Sequence, residues 1–233
     1  MKNIYLDNAA ASPIDPKVQK EIIRAMQIYG NPSSFNDVGR QASRELIKAR
    51  SKVARFLGAH PDEIIFTSSG SEANNMAILG LALVAPKDKR EIITTPIEHP
   101  SVLEPVKRLN HFGFKTIFAK VDQFGFVDVR DLASKINSKT LLVSIMYANN
   151  EIGTIEPRNK VGKLIRSLRK KGTGFPLFHV DACQAAGYLN MNVNSFQADL
   201  VTFNGSKIGG PRGIGVLYVR KGTNLAPLIL GGG

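Results

Sequence analysis

Apolar and polar residues follow two different periods along this chain. Up to Gly58 they repeat with a helical period, which predicts amphipathic helices over residues 15–29 and 40–57. Asp15 suits the N-cap of the first helix, and Gly58 is a typical stop signal after the second. A turn-rich stretch over residues 30–37 separates the two helices.

After Gly58 the pattern changes to short apolar runs that alternate with amphipathic stretches. The apolar runs predict strands over residues 63–67, 91–95, 114–119, 141–146, 177–180, 200–203 and 216–219. Helical periods cover residues 71–84, 99–111, 127–136 and 161–171. This alternation predicts an α/β fold in which a mostly parallel sheet is flanked by helices. Such sheets bind ligands beyond the carboxyl ends of their strands, so the residues that follow the strands are the candidates for function.

Composition describes an ordinary globular protein of 233 residues with 43% hydrophobic and 21% charged residues. The longest apolar run, residues 77–85, is too short to span a bilayer, and no secretory leader opens the chain, so we expect a cytoplasmic protein without a membrane segment. The net charge of +12 is spread through amphipathic stretches and there is no tryptophan, which favours solvated helix faces over a nucleic-acid partner. The single cysteine, Cys183, excludes an intrachain disulfide, and we predict no metal site.

Small hydroxyl residues and a glycine follow the first predicted strand and open a helix. Gly70 and Ser71 would offer backbone N–H groups and a hydroxyl at the positive end of that helix, as a phosphate site requires. An ordinary capped helix start with Glu72 in its first turn explains the same residues. Taken alone, the segment fits the ordinary explanation better.

Histidine and asparagine residues follow two further strands. His99 could stack on an aromatic ligand or exchange protons near neutral pH, and it could also be a surface histidine. Asn149 and Asn150 suit either a tight turn or hydrogen bonds to a polar ligand. Both alternatives stay open for each residue type.

A carboxylate follows the strand over residues 177–180. Asp181 leaves a buried apolar run, where a charge is costly unless it meets a cation or hydrogen-bond donors. A protonated pyridine nitrogen is such a cation, and an aspartate beside it keeps the ring a good electron sink. Gln184 lies three residues further on. Capping of the next short helix is the alternative role for Asp181.

Asn204, Ser206 and Lys207 lie in a polar, glycine-rich turn after the next strand. Lys207 could be an amine nucleophile for a carbonyl cofactor, although a lysine in such a turn is more often solvated. Together the strand ends of one sheet supply a phosphate cradle, an imidazole, a carboxylate and an amine. Their joint occurrence favours a functional site over a set of unrelated structural residues.

The motifs that carry this chemistry resemble those of one family, in order and through almost the whole chain. They are Tyr5-Leu6-Asp7-Asn8-Ala9-Ala10, Gly30-Asn31-Pro32-Ser33-Ser34, Phe66-Thr67-Ser68-Ser69-Gly70-Ser71-Glu72, Glu98-His99, Asn149-Asn150-Glu151-Ile152-Gly153-Thr154, His179-Val180-Asp181-Ala182-Cys183-Gln184-Ala185 and Ser206-Lys207 with Gly210-Pro211-Arg212-Gly213-Ile214-Gly215. The chain resembles the cysteine desulfurases of the NifS/IscS type, in the class V aminotransferase group of fold-type I pyridoxal-phosphate (PLP) enzymes.

This resemblance implies a role for each candidate residue. Lys207 would hold the cofactor as a Schiff base and later move the α proton of the substrate, His99 would stack on the pyridine ring and act as an acid and base, and Asp181 would pair with the ring nitrogen. The remaining cofactor contacts implied are Gly70, Ser71 and Ser206 at the phosphate with Asn204 nearby, and Gln184 and Asn150 on the side of the phenolic oxygen.

Two positions depart from the family pattern. Ser206 stands where family members usually carry histidine directly before the lysine, and the phosphate loop reads Ser-Gly-Ser where the family often has Gly-Ala-Thr. Because a serine hydroxyl still donates to phosphate, we expect PLP binding to be retained, with weaker affinity.

The resemblance also implies an activity and partners. A cysteine desulfurase converts L-cysteine to L-alanine and passes the sulfur as a persulfide to an acceptor protein, for iron–sulfur cluster or thio-cofactor assembly, and it acts as a homodimer. We expect residues 1–14 to form an N-terminal segment and residues 15–233 the PLP-binding large domain, cut off before a small C-terminal domain that carries the nucleophilic cysteine and the carboxylate-binding arginine. Cys183 is expected to be a packing residue, so the fragment alone should be inactive.

Three other interpretations remain. A selenocysteine lyase or an aminotransferase of the same group would use the same cofactor residues. A non-catalytic scaffold would keep the fold without needing Lys207, His99, Asp181 and Gln184 together. An RNA-binding protein is suggested by charge alone and would show steep salt dependence.

Overall fold

In a computed structural model, which describes residues 4–169 and 174–231, a seven-stranded sheet forms the centre of the molecule. The strands are β1 (Ile64–Thr67), β2 (Glu91–Thr94), β3 (Lys115–Phe118), β4 (Thr140–Ser144), β5 (Leu177–Asp181), β6 (Leu200–Asn204) and β7 (Gly215–Val219). Their order across the sheet is β1-β7-β6-β5-β4-β2-β3. Five neighbouring strands run parallel, and β7 is antiparallel to both β6 and β1. The predicted α/β class with a mostly parallel sheet is confirmed.

Eight helices lie in the part of the chain that the structure describes. They are α1 (Pro16–Ala25), α2 (Asp37–Leu57), α3 (Gly70–Asn75), α4 (Leu81–Leu83), α5 (Pro100–Leu109), α6 (Val129–Lys135), α7 (Arg158–Leu168) and α8 (Val193–Phe196). A π-helical turn, Met76–Gly80, joins α3 to α4. Asp15 caps α1 by accepting the Lys17 N–H at 2.7 Å, and Gly58 ends α2 in the left-handed conformation, as predicted.

The two faces of the sheet bury separate apolar cores. One core packs α2, α6, α7 and α8 against residues such as Phe178 and Tyr147. The other packs α3, α4 and α5 against residues such as Ile92 and Leu142. Because both faces are covered, the strands are continuous apolar runs rather than alternating ones, and each fully buried large side chain adds about 1.5–3 kcal/mol of stability.

Element boundaries differ from the predicted ones in a few places. Helix α2 begins at Asp37, three residues earlier than predicted, because Asn36 accepts the Gly39 N–H and caps it. Helix α7 begins at Arg158, and the last predicted residues of that helix, 170–171, lie outside the described residues. Helix α8 was not predicted, because four residues are too few for a helical period to appear in the sequence.

The carboxyl ends of β1, β2, β4, β5 and β6 meet at one edge of the sheet, as the strand directions require. This edge holds the predicted site. Within residues 4–169 and 174–231, no helix combines the length and apolar character that crossing a membrane demands.

Candidate active site

All nine predicted site residues line one cavity of about 200 Å³ at the carboxyl edge of the sheet. They are Gly70, Ser71, His99, Asn150, Asp181, Gln184, Asn204, Ser206 and Lys207. Five residues that the sequence did not single out for this site complete the lining: Ala10, Ser101, Met146, Ala148 and Cys183. The strand-end reasoning therefore located the cavity, and the roles of its residues rest on their contacts.

Asp181 is the last residue of β5 and is 6% exposed. One carboxylate oxygen accepts the Cys183 N–H at 3.0 Å, and the other accepts from the Asn74 side-chain amide at 2.7 Å. The alternative role, capping of a following helix, is not what the structure shows, because residues 183–188 form turns and the Cys183 contact only holds the start of that segment. Among the described residues no Lys, Arg or His pairs with this buried carboxylate. A buried carboxylate that faces a cavity and has no ion-pair partner of its own fits the protonated ring nitrogen of PLP.

Lys207 lies in a 3₁₀ turn (Gly205–Lys207) that directly follows β6. Its amine donates to the carbonyl oxygen of Ala9, and the Gln184 amide donates to the same oxygen at 2.9 Å. Ser12 holds the turn from the other side through the carbonyl oxygen of Ser206 at 2.8 Å. The N-terminal segment therefore orients the amine, and no described carboxylate pairs with it.

The start of α3 also lines the cavity, through Gly70 and Ser71. Ser69 caps the helix by accepting the Glu72 N–H at 3.0 Å, and Glu72 reaches back to the N–H of Ser68 at 2.6 Å. Because capping satisfies these groups, the remaining N–H groups of the first turn, at Gly70 and Ser71, are the ones available to an anion. The buried Asn204 Oδ1 has no partner within the described residues. The available N–H groups of Gly70 and Ser71 fit a phosphate group, whereas the Asn204 oxygen is an acceptor and needs a donor beside it.

Gly70 and Cys183 fit each other. A Cβ atom added at Gly70 would lie 2.6 Å from the Cys183 sulfur and 3.2 Å from the Asn204 amide nitrogen. The thiol thus occupies the space that an alanine side chain at position 70 would need. This contact gives a physical reason for the Ser-Gly-Ser form of the loop.

We therefore expect Gly70→Ala to destabilise the protein by about 1–3 kcal/mol, because the added methyl overpacks the contact with the thiol. Cys183→Ala in the same chain should restore most of that loss, since it removes the sulfur. Urea denaturation of the two single variants and the double variant measures this. Additive effects of the two substitutions would contradict the proposed steric coupling.

The structure shows which of the alternatives left open by the sequence each asparagine adopts, and it places His99 in the lining of the cavity. His99 caps α5 and lines the cavity, with its Nδ1 atom 2.8 Å from the Ser101 hydroxyl. Asn149 forms the turn, because its side-chain oxygen accepts the N–H groups of Glu151 and Ile152. Asn150 lines the cavity, and its amide donates to Glu151 at 2.8 Å. The turn interpretation thus holds for Asn149 and the ligand-facing one for Asn150.

Buried ionisable groups lie directly behind the cavity, and sequence reasoning missed them. Burial raises the pKa of Glu98 to about 8, with the nearby Asp181 and Glu156 carboxylates adding to the effect. Burial likewise raises the pKa of Glu156 to about 7. Burial lowers the pKa of His179 to about 4, and its ring lies between the hydroxyls of Ser144 and Thr202. In the folded protein these three groups are therefore all largely neutral between about pH 4 and 7.

The raised pKa values of Glu98 and Glu156 predict that these two groups lower stability as pH rises from about 5 to 8, whereas His179, with its lowered pKa, opposes them below about pH 6.5. A carboxyl group with a raised pKa in the fold keeps its proton there while the unfolded chain has lost it, which costs about 1.4 kcal/mol per pH unit for each such group. Glu98→Gln keeps the oxygen that accepts from Thr95 and Met146 but has no proton to lose. The free energy of unfolding of Glu98→Gln should therefore fall less steeply with pH than that of the wild type, by about 1.4 kcal/mol per pH unit between pH 5.5 and 7.

Urea denaturation at several pH values measures this slope. The exposed Glu104→Gln is the matched control and should leave the slope unchanged, since Glu104 forms only a surface ion pair with Lys107. Parallel curves for Glu98→Gln and the wild type would show that Glu98 is ionised in the folded protein.

Comparisons with known proteins agree with this geometry. Residues 4–233 match the family described as aminotransferase class-V. The chain is 43% identical over 236 aligned residues to a cysteine desulfurase IscS of Dictyoglomus turgidum, covering 99% of this chain and 57% of that protein. The structure matches a NifS-like protein with a TM-score of 0.94 at 41% identity, covering 100% of this chain and 63% of that one. It also matches SspA in complex with cysteine, with a TM-score of 0.92 at 34% identity, covering 99% of this chain and 66% of that one.

The sheet order, the cavity at its carboxyl edge and these neighbours define an α/β protein of the PLP-dependent fold type I. The residues present fit that cofactor, with a lone buried carboxylate, an oriented lysine amine and a helix start around one cavity. The chain belongs to the class-V aminotransferase family. It spans a little over half the length of the curated relative named above.

Proposed function

We propose that this chain is the PLP-binding large domain of a cysteine desulfurase, with residues 1–14 as an N-terminal segment and residues 15–233 as the domain itself. The whole enzyme would convert L-cysteine and a thiol to L-alanine and a persulfide, so that the sulfur leaves carbon and forms a new bond to the accepting sulfur. An acceptor protein for iron–sulfur cluster or thio-cofactor assembly would take the persulfide sulfur. We place the enzyme in the cytoplasm as a homodimer.

One observation carries the proposal: Asp181, His99 and Lys207 line a single cavity, and the carboxylate forms no ion pair with any described residue. Bound PLP acts as an electron sink for the substrate's α carbon. Asp181 would hold the ring nitrogen in its protonated form. His99 would cover the ring, and the amine of Lys207 would hold the cofactor and carry the proton of the α carbon.

Other residues of the cavity would orient the cofactor. Gly70, Ser71 and Ser206 would hold the phosphate. The unpartnered Asn204 oxygen lies in the same lining and, being an acceptor, would reach the phosphate only through an intervening water. Gln184 and Asn150 would contact the phenolic oxygen. Both of these amides have partners that a ligand could replace, Ala9 and Glu151.

Cys183 is not the thiol that accepts sulfur in this proposal. Burial raises its pKa well above the usual value, and the neighbouring Asp181 carboxylate adds to the effect. The thiolate form that attacks sulfur is therefore scarce. The residue follows the rigid end of β5 and packs against Gly70.

The substrate assignment is tested by adding L-cysteine to the PLP-loaded chain after free PLP is removed. We expect L-cysteine to change the visible absorption band. D-cysteine at the same concentration should give only the slow absorbance change that comes from the reaction of thiols with free PLP. Lys207→Ala, treated with PLP in the same way, is the blank. Equal responses to the two enantiomers would contradict the assignment, because Lys207 and His99 occupy fixed places in the cavity and present different surroundings to the two enantiomers.

A further inference from the structure

A chain of hydrogen bonds joins Asp181 to His99 through two residues for which no role was expected. The side-chain nitrogen of Asn74 lies 2.7 Å from Asp181 Oδ2 and 2.8 Å from the hydroxyl of Ser101. The Ser101 hydroxyl lies 2.8 Å from His99 Nδ1, and the Ser101 backbone N–H donates to the same ring nitrogen at 3.1 Å. The chain crosses the contact between α3 and α5.

Chemistry fixes the direction of every bond in this chain. An ionised carboxylate only accepts, so Asn74 must turn its NH₂ group to Asp181, and its second hydrogen then goes to Ser101. The Ser101 hydroxyl accepts that hydrogen and has one of its own, which it donates to His99 Nδ1. A backbone N–H also points at Nδ1, so this nitrogen cannot carry a hydrogen when the ring is neutral.

We infer that Asn74 and Ser101 are positioning residues that hold the ring-nitrogen carboxylate and the stacking imidazole as one unit, with neutral His99 as the Nε2–H tautomer. The catalytic meaning of this inference rests on the proposed function. Asn74 is 1% exposed and is not among the residues lining the cavity, so it acts only through Asp181 and Ser101.

The consequence concerns what His99 can offer the cavity. Its Nδ1 lone pair is used by Ser101, and Nε2 has no partner within the described residues. The neutral ring therefore presents an N–H donor to a ligand. Its orientation depends on a carboxylate at the far end of the chain, so a change at Asp181 or Asn74 reaches His99 without direct contact.

The tautomer is read from long-range ¹H–¹⁵N correlation spectra of the ¹⁵N-labelled protein without PLP, at alkaline pH, where imidazoles are neutral. His99→Gln identifies the His99 signals by their loss. The wild type should show a protonated Nε2 and an unprotonated, hydrogen-bonded Nδ1. Ser101→Ala should move the Nδ1 signal toward that of a free ring nitrogen, and Ser101→Thr should move it back.

Asn74→Ala is the decisive variant, because Asn74 does not touch His99. It should shift the His99 Nδ1 signal in the same direction as Ser101→Ala and should weaken PLP binding about tenfold, as expected for one lost hydrogen bond to a charged group. Asn194→Ala, which removes an exposed amide bound to the carbonyl of Gly58, should change neither.

A wild-type ring protonated on Nδ1 would overturn the inference, as would an unchanged His99 spectrum in folded Asn74→Ala. If circular dichroism shows that Asn74→Ala is unfolded, Asp181→Ala removes the acceptor of the Asn74 N–H, so it perturbs the same chain from its far end and is read in the same spectrum, where an unchanged His99 would again overturn it. Because these spectra contain no PLP, failure of PLP to bind would refute the proposed function without altering this result.

Discussion

Lys207→Ala should abolish the yellow colour that the protein acquires with PLP. The colour requires a bond between the cofactor aldehyde and an amine, and Lys207 is the amine that lines the cavity. Because its side chain contributes a hydrogen bond to Ala9 and no described ion pair, its loss should leave the fold intact. Absorption spectra after removal of free PLP measure the effect, and circular dichroism checks the fold.

Lys221→Ala is the matched control for this substitution. Its side chain is 80% exposed and lies outside the cavity, so its loss should leave the colour unchanged. A yellow Lys207→Ala protein, with colour that survives gel filtration, would show that another amine holds the cofactor.

Asp181→Asn should weaken PLP binding about a hundredfold or more. Asparagine has the same shape, but its NH₂ group would face either the Cys183 N–H or the Asn74 amide, so the substitution removes the charge and one accepted hydrogen bond. A protonated ring nitrogen facing a buried neutral amide loses its ion pair, and breaking a buried pair costs about 3–5 kcal/mol. Titration of the apoprotein with PLP, followed by fluorescence or absorption, gives the affinity.

Asp62→Asn is the control for the loss of one negative charge, because Asp62 is exposed and lies outside the cavity. It should bind PLP like the wild type. If Asp181→Asn also binds like the wild type while folded, Asp181 serves only to hold the Cys183 N–H and the Asn74 amide.

Much of the fold could be predicted because the strands are buried on both faces. Such strands appear as short apolar runs, and the helices between them keep a clear period, so the parallel part of the sheet follows directly. The antiparallel placement of β7 could not be predicted, because the connection from Gly205 to Gly215 has no period and its path depends on close backbone packing. A Cβ atom at Gly215 would lie 2.4 Å from the backbone of Ser69.

The nine predicted cavity residues could be found for the same reason, since each lies at or after the end of a strand and the carboxyl ends of parallel strands share an edge. Ala10 could not, because it belongs to the N-terminal segment, which precedes every strand. Asn74 could not be found either, because a polar residue within a helix is usually solvated and its burial depends on the packing of α3 against α5. The contact between Gly70 and Cys183 joins residues far apart in the sequence, so only the folded structure reveals it.

The most direct test is to find where PLP is attached. Borohydride reduction of the PLP-loaded protein fixes the cofactor on its amine, and peptide mass spectrometry locates the modified lysine. A pyridoxyl phosphate group on Lys207, at one group per chain, is the predicted result. A label on other lysines, spread over the surface and indifferent to Asp181→Asn, would contradict the assignment of this cavity as the cofactor site.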